Sequence, residues 1–121
     1  MKNIFYPVVF FLLSACATLD QPAPEQVNKT QDSIATAAMA DAAYLRSDWE
    51  ASERLYIKLI EAAPDNAMFW YRLGNIYSST NRNNAAVIAY NESLKFNPAD
   101  PDVWFNLGIV QLKQSAYTFN S

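Results

Sequence analysis

Trp70-Tyr71-Arg72-Leu73-Gly74 and Trp104-Phe105-Asn106-Leu107-Gly108 are one pattern, Trp-x-x-Leu-Gly, written twice at a distance of 34 residues. The same offset relates Pro64 to Pro98 and Tyr56 to Tyr90. A fixed period of this length marks a stacked repeat, with one supersecondary unit per period. Trp70, Leu73 and Tyr77 fall at helical spacing and therefore share one helix face. A glycine inside a helix costs about 1 kcal/mol relative to alanine. Gly74 and Gly108 make sense at that cost where two helices cross too closely for a side chain, and Ala86 supplies the small residue opposite. A single helix pair cannot bury its apolar face, so neighbouring units must stack.

Working outward, turn signals divide the chain. Ser47-Asp48 ends a first helix, and Ser47-x-x-Glu50 fits a capping box. Pro64-Asp65-Asn66 ends a second helix, and Asn81 to Asn84 form a polar break. In Asn97-Pro98-Ala99-Asp100-Pro101, Asp100 is placed to cap a last helix that opens on Pro101. The predicted helices are 33–46, 49–62, 67–79, 83–96 and 101–114, an all-α chain.

These residues resemble the tetratricopeptide repeat. The unit 67–100 carries Trp70, Leu73, Gly74, Tyr77, Ala86, Tyr90 and Pro98 in that family's register, with Ser93 in place of the usual alanine. The unit 33–66 matches more loosely through Ala40, Trp49, Ser52, Tyr56 and Pro64, and has Thr36 where the tryptophan would stand. Residues 101–121 give a partial third unit. The resemblance implies a short α-solenoid of about two and a half repeats, in which Trp70, Trp104, Tyr77 and Tyr90 are packing positions and not a cofactor box.

It also implies a concave groove lined by the first helix of each unit. The groove positions are Asp41, Tyr44 and Leu45; then Met68, Tyr71, Arg72, Asn75 and Ser79; then Phe105, Asn106, Ile109, Leu112 and Lys113. Some relatives hold a peptide's terminal carboxylate with Lys, Arg and Asn at such places. Arg72, Asn75 and Asn106 match that clamp only in part, so the expectation is a mixed apolar and polar groove for a helix or an extended peptide.

The N-terminus reads as an address. After Met1-Lys2-Asn3, Ile4 to Leu13 is a nearly unbroken apolar run, too short to span a bilayer and right for a signal-peptide core. Leu13-Ser14-Ala15-Cys16 then resembles the lipobox of bacterial lipoproteins. That resemblance implies a leader over 1–15, cleavage before Cys16 and acylation of its sulfur, which also accounts for an otherwise unpaired thiol in an exported chain. Acyl chains would hold the protein on a membrane without spanning it. Ala17 stands where an aspartate commonly signals inner-membrane retention, so the expected location is the periplasmic face of the outer membrane. Residues 16–32 then read as the lipidated cysteine and a flexible tether, polar and carrying Pro22 and Pro24.

Composition narrows the function. The chain has 9 Lys plus Arg against 12 Asp plus Glu, and Lys2 is the only charge before Cys16, which leaves 8 against 12 afterwards. A net of −4 without a basic stripe disfavours nucleic acid, whose binding rests on phosphate neutralisation. With no histidine and a single cysteine, the commonest general base and the multi-ligand metal sites are missing. Glu50, Glu53, Glu61 and Glu92 fall where they should be solvated. No enzyme, metal or cofactor is expected.

The expected function is a membrane-anchored scaffold or assembly factor for envelope proteins. By resemblance its settings are pilus, secretion or outer-membrane assembly; the alternative is an accessory subunit that positions a cell-wall enzyme. A chain cut short in its third unit, with no independent role, is a further reading. The last helix adds one expectation. It lacks a following partner, so Val103, Leu107 and Val110 would be partly uncovered while Phe105, Ile109 and Leu112 face the groove. Either a partner helix or a second copy covers this end, or the tail folds back through Tyr117 and Phe119.

Overall fold

The structure is a computed structural model that describes residues 23–119; Cys16 and the leader lie outside them. Five helices follow one another: α1 (Pro24–Leu45), α2 (Trp49–Ala62), α3 (Ala67–Ser79), α4 (Asn83–Phe96) and α5 (Pro101–Phe119). Each of α2, α3 and α4 has the predicted bounds, because each sits between strong stop and start signals. Asn66 Oδ1 accepts from the Met68 amide at 3.0 Å, and Asp100 Oδ1 accepts from the amides of Asp102 and Val103 at 3.0 and 3.4 Å.

The local corrections have simple causes. Ser47 takes a left-handed backbone (φ 58°) and closes the turn after α1. The capping role passes to Asp48, whose Oδ1 accepts from the Ala51 amide at 3.2 Å, so the Ser47–Glu50 capping box does not form. The expected tether is shorter than the sequence pattern suggests, since α1 begins at Pro24 and not at Ser33. Its first turns have no apolar stripe because nothing packs on them. They are solvated helix, opened by a proline at the first position and helped by a Glu25–Lys29 pair at 3.2 Å.

The helices pack as two layers. α1, α3 and α5 form one, and α2 and α4 the other. The core lies between them: Ala40, Tyr56, Leu59 and Ile76 in one cluster, and Ala86, Tyr90, Leu94, Val103, Leu107 and Val110 in another. Val103, Leu107 and Val110 are therefore buried against α4, contrary to the expectation that they would be partly uncovered.

The repeat is also legible in its crossings. A Cβ on Gly74 would sit 2.6 Å from Cδ1 and Cε1 of Tyr90, so this glycine is required by close approach. Ala40 occupies the same place in the first unit, beside Tyr56. Both serines in the second helices tie the layers together. Ser52 Oγ donates to the Ala40 carbonyl at 3.2 Å, and Ser93 Oγ donates to the Ala67 carbonyl at 2.8 Å.

The third unit departs from this pattern. A Cβ on Gly108 would meet nothing within 4 Å. Trp104, expected to pack, is 55% exposed, although its indole N–H donates to the Pro98 carbonyl at 2.8 Å just as Trp70 donates to Pro64. The reason is that no helix covers α5 as α4 covers α3 among the described residues. The tail does not fold back over this face. It continues α5 as helix to Phe119, five residues past the expected end.

Candidate functional site

The groove positions lie along the α1/α3/α5 layer, and side-chain contacts fasten that layer together. Two clusters result. In the first, the Arg72 guanidinium lies over the Tyr44 ring, 4.6 Å from its centroid, with Nε 3.7 Å from Asp41 Oδ1. Tyr44 in turn meets Trp49 edge-on at 5.5 Å. Asp41 also accepts from the Tyr56 hydroxyl. Burial, followed by the adjacent Asp41 carboxylate, raises the Tyr56 phenol well above its ordinary value and keeps it a donor. Arg72 Nε is buried against this cluster without a hydrogen bond, so the ring and the Asp41 carboxylate hold the guanidinium in place while about a third of the side chain stays open to solvent.

The second cluster joins α3, α4 and α5. Tyr90 Oη donates to Asn75 Oδ1 at 2.7 Å, and Asn106 Nδ2 donates to the same oxygen at 3.1 Å and to the Tyr71 hydroxyl at 3.2 Å. Tyr71 and Tyr90 rings lie 6.2 Å apart. Burial raises the Tyr90 phenol too, so its proton stays on the bond to Asn75. Asn75 and Asn106 are thus engaged with each other and with two tyrosines. This network makes them poor members of a carboxylate clamp with Arg72.

Around these clusters, Met68 on α3 is half-exposed and Asp41, Leu45, Ser79 and Lys113 are exposed. Phe105, Ile109 and Leu112 do not join either cluster. With Trp104, Gly108, Gln111 and Ser115 they line a shallow depression on the uncovered side of α5. The structure therefore separates the predicted groove into a central part on α1 and α3, completed by Asn106, and an apolar part on α5.

One functional pairing was not visible in the sequence. Arg82, at the start of α4, donates through Nη1 and Nη2 to both carboxylate oxygens of Glu53 on α2 at 2.9 and 2.5 Å, and its guanidinium lies 4.6 Å over the Tyr77 ring. Glu53 is therefore an inter-unit tie and not a freely solvated charge. The Arg82 hydrogen bonds hold its carboxyl below the usual value of 4.5, against a smaller desolvation effect. A 29-residue separation with no motif gives sequence reasoning nothing to read. Glu50 does face solvent, paired with Arg54 within its own helix, whereas Glu92 is partly buried and pairs with Lys95.

Compared with known families, the chain matches a profile described as TPR repeat over residues 74–115 and one described as Tetratricopeptide repeat over residues 55–88. The chain carries tetratricopeptide repeats. The matched stretches run from α2 into α5 and include Gly74, Tyr77, Ala86, Tyr90 and Gly108. No curated protein matches it. Tetratricopeptide repeats are typically non-catalytic modules for binding other proteins, and the α-solenoid they build here fits that role. Among the described residues, no helix is long and apolar enough to cross a membrane.

Proposed function

We propose that this tetratricopeptide chain is a lipid-anchored scaffold of the bacterial envelope, which holds a partner protein along its α1/α3/α5 face and keeps it near the membrane. The observation that carries the docking half is the Tyr44–Arg72–Asp41 cluster. A half-buried cation rests on an aromatic ring beside a carboxylate, with part of its guanidinium side chain left open. It is flanked by the exposed thioether of Met68 and the phenol of Tyr71. Such a surface suits an amphipathic helix or extended peptide with an acceptor at one position and apolar groups beside it. The anchoring half rests on Leu13-Ser14-Ala15-Cys16 after a short apolar run, with α1 beginning eight residues beyond the cysteine. The periplasmic face of the outer membrane, and an assembly role of the pilus, secretion or outer-membrane type, follow from the same reading.

The test places a photo-crosslinking residue at Met68 in intact cells and identifies what it captures. An envelope protein whose capture falls at least tenfold in Arg72→Ala supports docking on this face. Undiminished capture in Arg72→Ala would overturn the assignment of the cluster. For the anchor, mass spectrometry of the mature chain reads acyl groups on Cys16. An unmodified cysteine in an uncleaved chain would end the lipoprotein reading.

A further inference from the structure

On α3, the side that meets α4 presents Tyr71, Gly74 and Tyr77 to Ala86 and Tyr90. Moving 34 residues along, the same side of α5 presents Phe105, Gly108 and Gln111. Here Phe105 is 69% and Leu112 68% exposed. With Trp104 and Ile109 they surround the open Gly108 in a depression of about 500 Å³. The slot that takes Tyr90 in the second unit thus recurs in the third with nothing in it among the described residues.

The filled slots state what an occupant must look like. Each is closed by a helix with a small residue followed four positions later by a ring: Ser52 and Tyr56, then Ala86 and Tyr90. Each ring's hydroxyl donates to the residue after the crossing point, to Asp41 in the first unit and Asn75 in the second. In the third unit that acceptor position is Ile109. A tyrosine hydroxyl would have no partner there, so the third slot calls for a phenylalanine.

The chain itself contains such a helix. α5 runs 19 residues where α3 runs 13. The extension adds a small residue and a ring at the required spacing, Ser115 and Phe119, and Phe119 is 91% exposed. At 3.6 residues per turn Phe119 lies only about 20° around the helix from Gly108, so slot and plug share one face. No helix can fold onto itself, but a second copy can. We propose that two copies of this chain pair through antiparallel α5 helices, each placing Phe119 over the partner copy's open glycine and Ser115 against its Leu112.

The arrangement is self-complementary, as a two-fold interface requires. Gly108 with Phe119 and Leu112 with Ser115 are compatible with a single axis near Lys113 and Gln114. No charged residue lines the depression. Asp102 and Lys113 lie roughly 120–140° around α5 from Gly108, so the axis brings no like charges together on the contact face. The exposed rings of Trp104, Phe105 and Phe119, with Ile109 and Leu112, offer roughly 600 Å² per copy on ordinary side-chain areas. Two copies therefore bury at most about 1,200 Å², the lower end for a specific interface, so the dimer is a weak, concentration-dependent one. This inference goes beyond the docking face, using the other side of α5 and needing neither Arg72 nor the anchor.

The experiment co-expresses two differently tagged forms of the full chain, with a photo-crosslinking phenylalanine analogue at position 119. The expected product joins the two tags, with the crosslink in the tryptic peptide from Phe96 to Lys113. Gly108→Leu is the decisive variant, because its side chain enters open space in a single copy and leaves folding intact while filling the slot. The crosslink should fall at least tenfold, with an unchanged or higher melting temperature. Leu112→Glu should reduce it similarly. Capture of a different protein at position 119, crosslinks within one copy only, or a yield unmoved by Gly108→Leu would each overturn the proposal.

Discussion

Gly74 and Gly108 occupy the same place in a 34-residue repeat, and the structure requires that replacing them with alanine act in opposite directions. Helix propensity favours alanine at both sites by about 1 kcal/mol. At Gly74 the added Cβ would lie 2.6 Å from two atoms of the Tyr90 ring. That ring is 1% exposed and fixed at its far end by the bond to Asn75. It cannot swing aside without breaking the bond or disturbing Tyr71, so overpacking costs about 1–3 kcal/mol. Gly74→Ala is therefore expected to lose up to about 2 kcal/mol net, which for a domain of this size lowers Tm by roughly 4–8 °C per kcal/mol. Gly108→Ala has no clash to offset and should raise Tm by roughly 4–8 °C. Thermal unfolding of residues 23–121 followed by circular dichroism, at a dilution where copies are separate, reads both. If Gly74→Ala were as stabilising as Gly108→Ala, the assignment of Gly74 to a close helix crossing would be wrong.

Three further outcomes are expected. The Glu53 carboxyl is held below 4.5 by Arg82, so its contribution is present above its unfolded value and is lost as pH falls through the lower folded value. Denaturant titrations across that window should show the loss, Glu53→Gln should flatten it, and the size should stay within about 1 kcal/mol for a pair this open to solvent. Asn75→Ala leaves the Tyr90 hydroxyl without its acceptor and should cost about 1–3 kcal/mol, while adding Tyr90→Phe should recover much of it. A double-mutant cycle measures that coupling, and strict additivity would refute the bond's role. Cys16→Ala should release the chain from washed membranes, checked by fractionation.

Much of the fold was legible because it is written twice. The 34-residue offset, the Trp-x-x-Leu-Gly pairs and the proline and asparagine stops place α2, α3 and α4 without any knowledge of packing. Both errors in helix length fall at the ends, where helix is held without an apolar stripe. Residues 24–32 and 115–119 bury almost nothing, so hydrophobic periodicity, the signal that identified the other helices, is silent there. The candidate groove was legible as positions but not as contacts. That Arg72 would rest on Tyr44, or that Asn75 and Asn106 would meet across two units, depends on how α1, α3 and α5 come side by side.

The two sides of α5 show how a repeat can be read for partners as well as for fold. In each unit the residue after the crossing point reveals whether the neighbouring ring carries a hydroxyl. Asp41 and Asn75 accept one, and both rings are tyrosine. Ile109 cannot, and the only ring that the extended helix places on that face beyond the slot is Phe119. The polar-to-apolar change at position 109, the bare glycine at 108 and the ring at 119 belong to one face. The α5 helix of a second copy, resting there as proposed, accounts for all three.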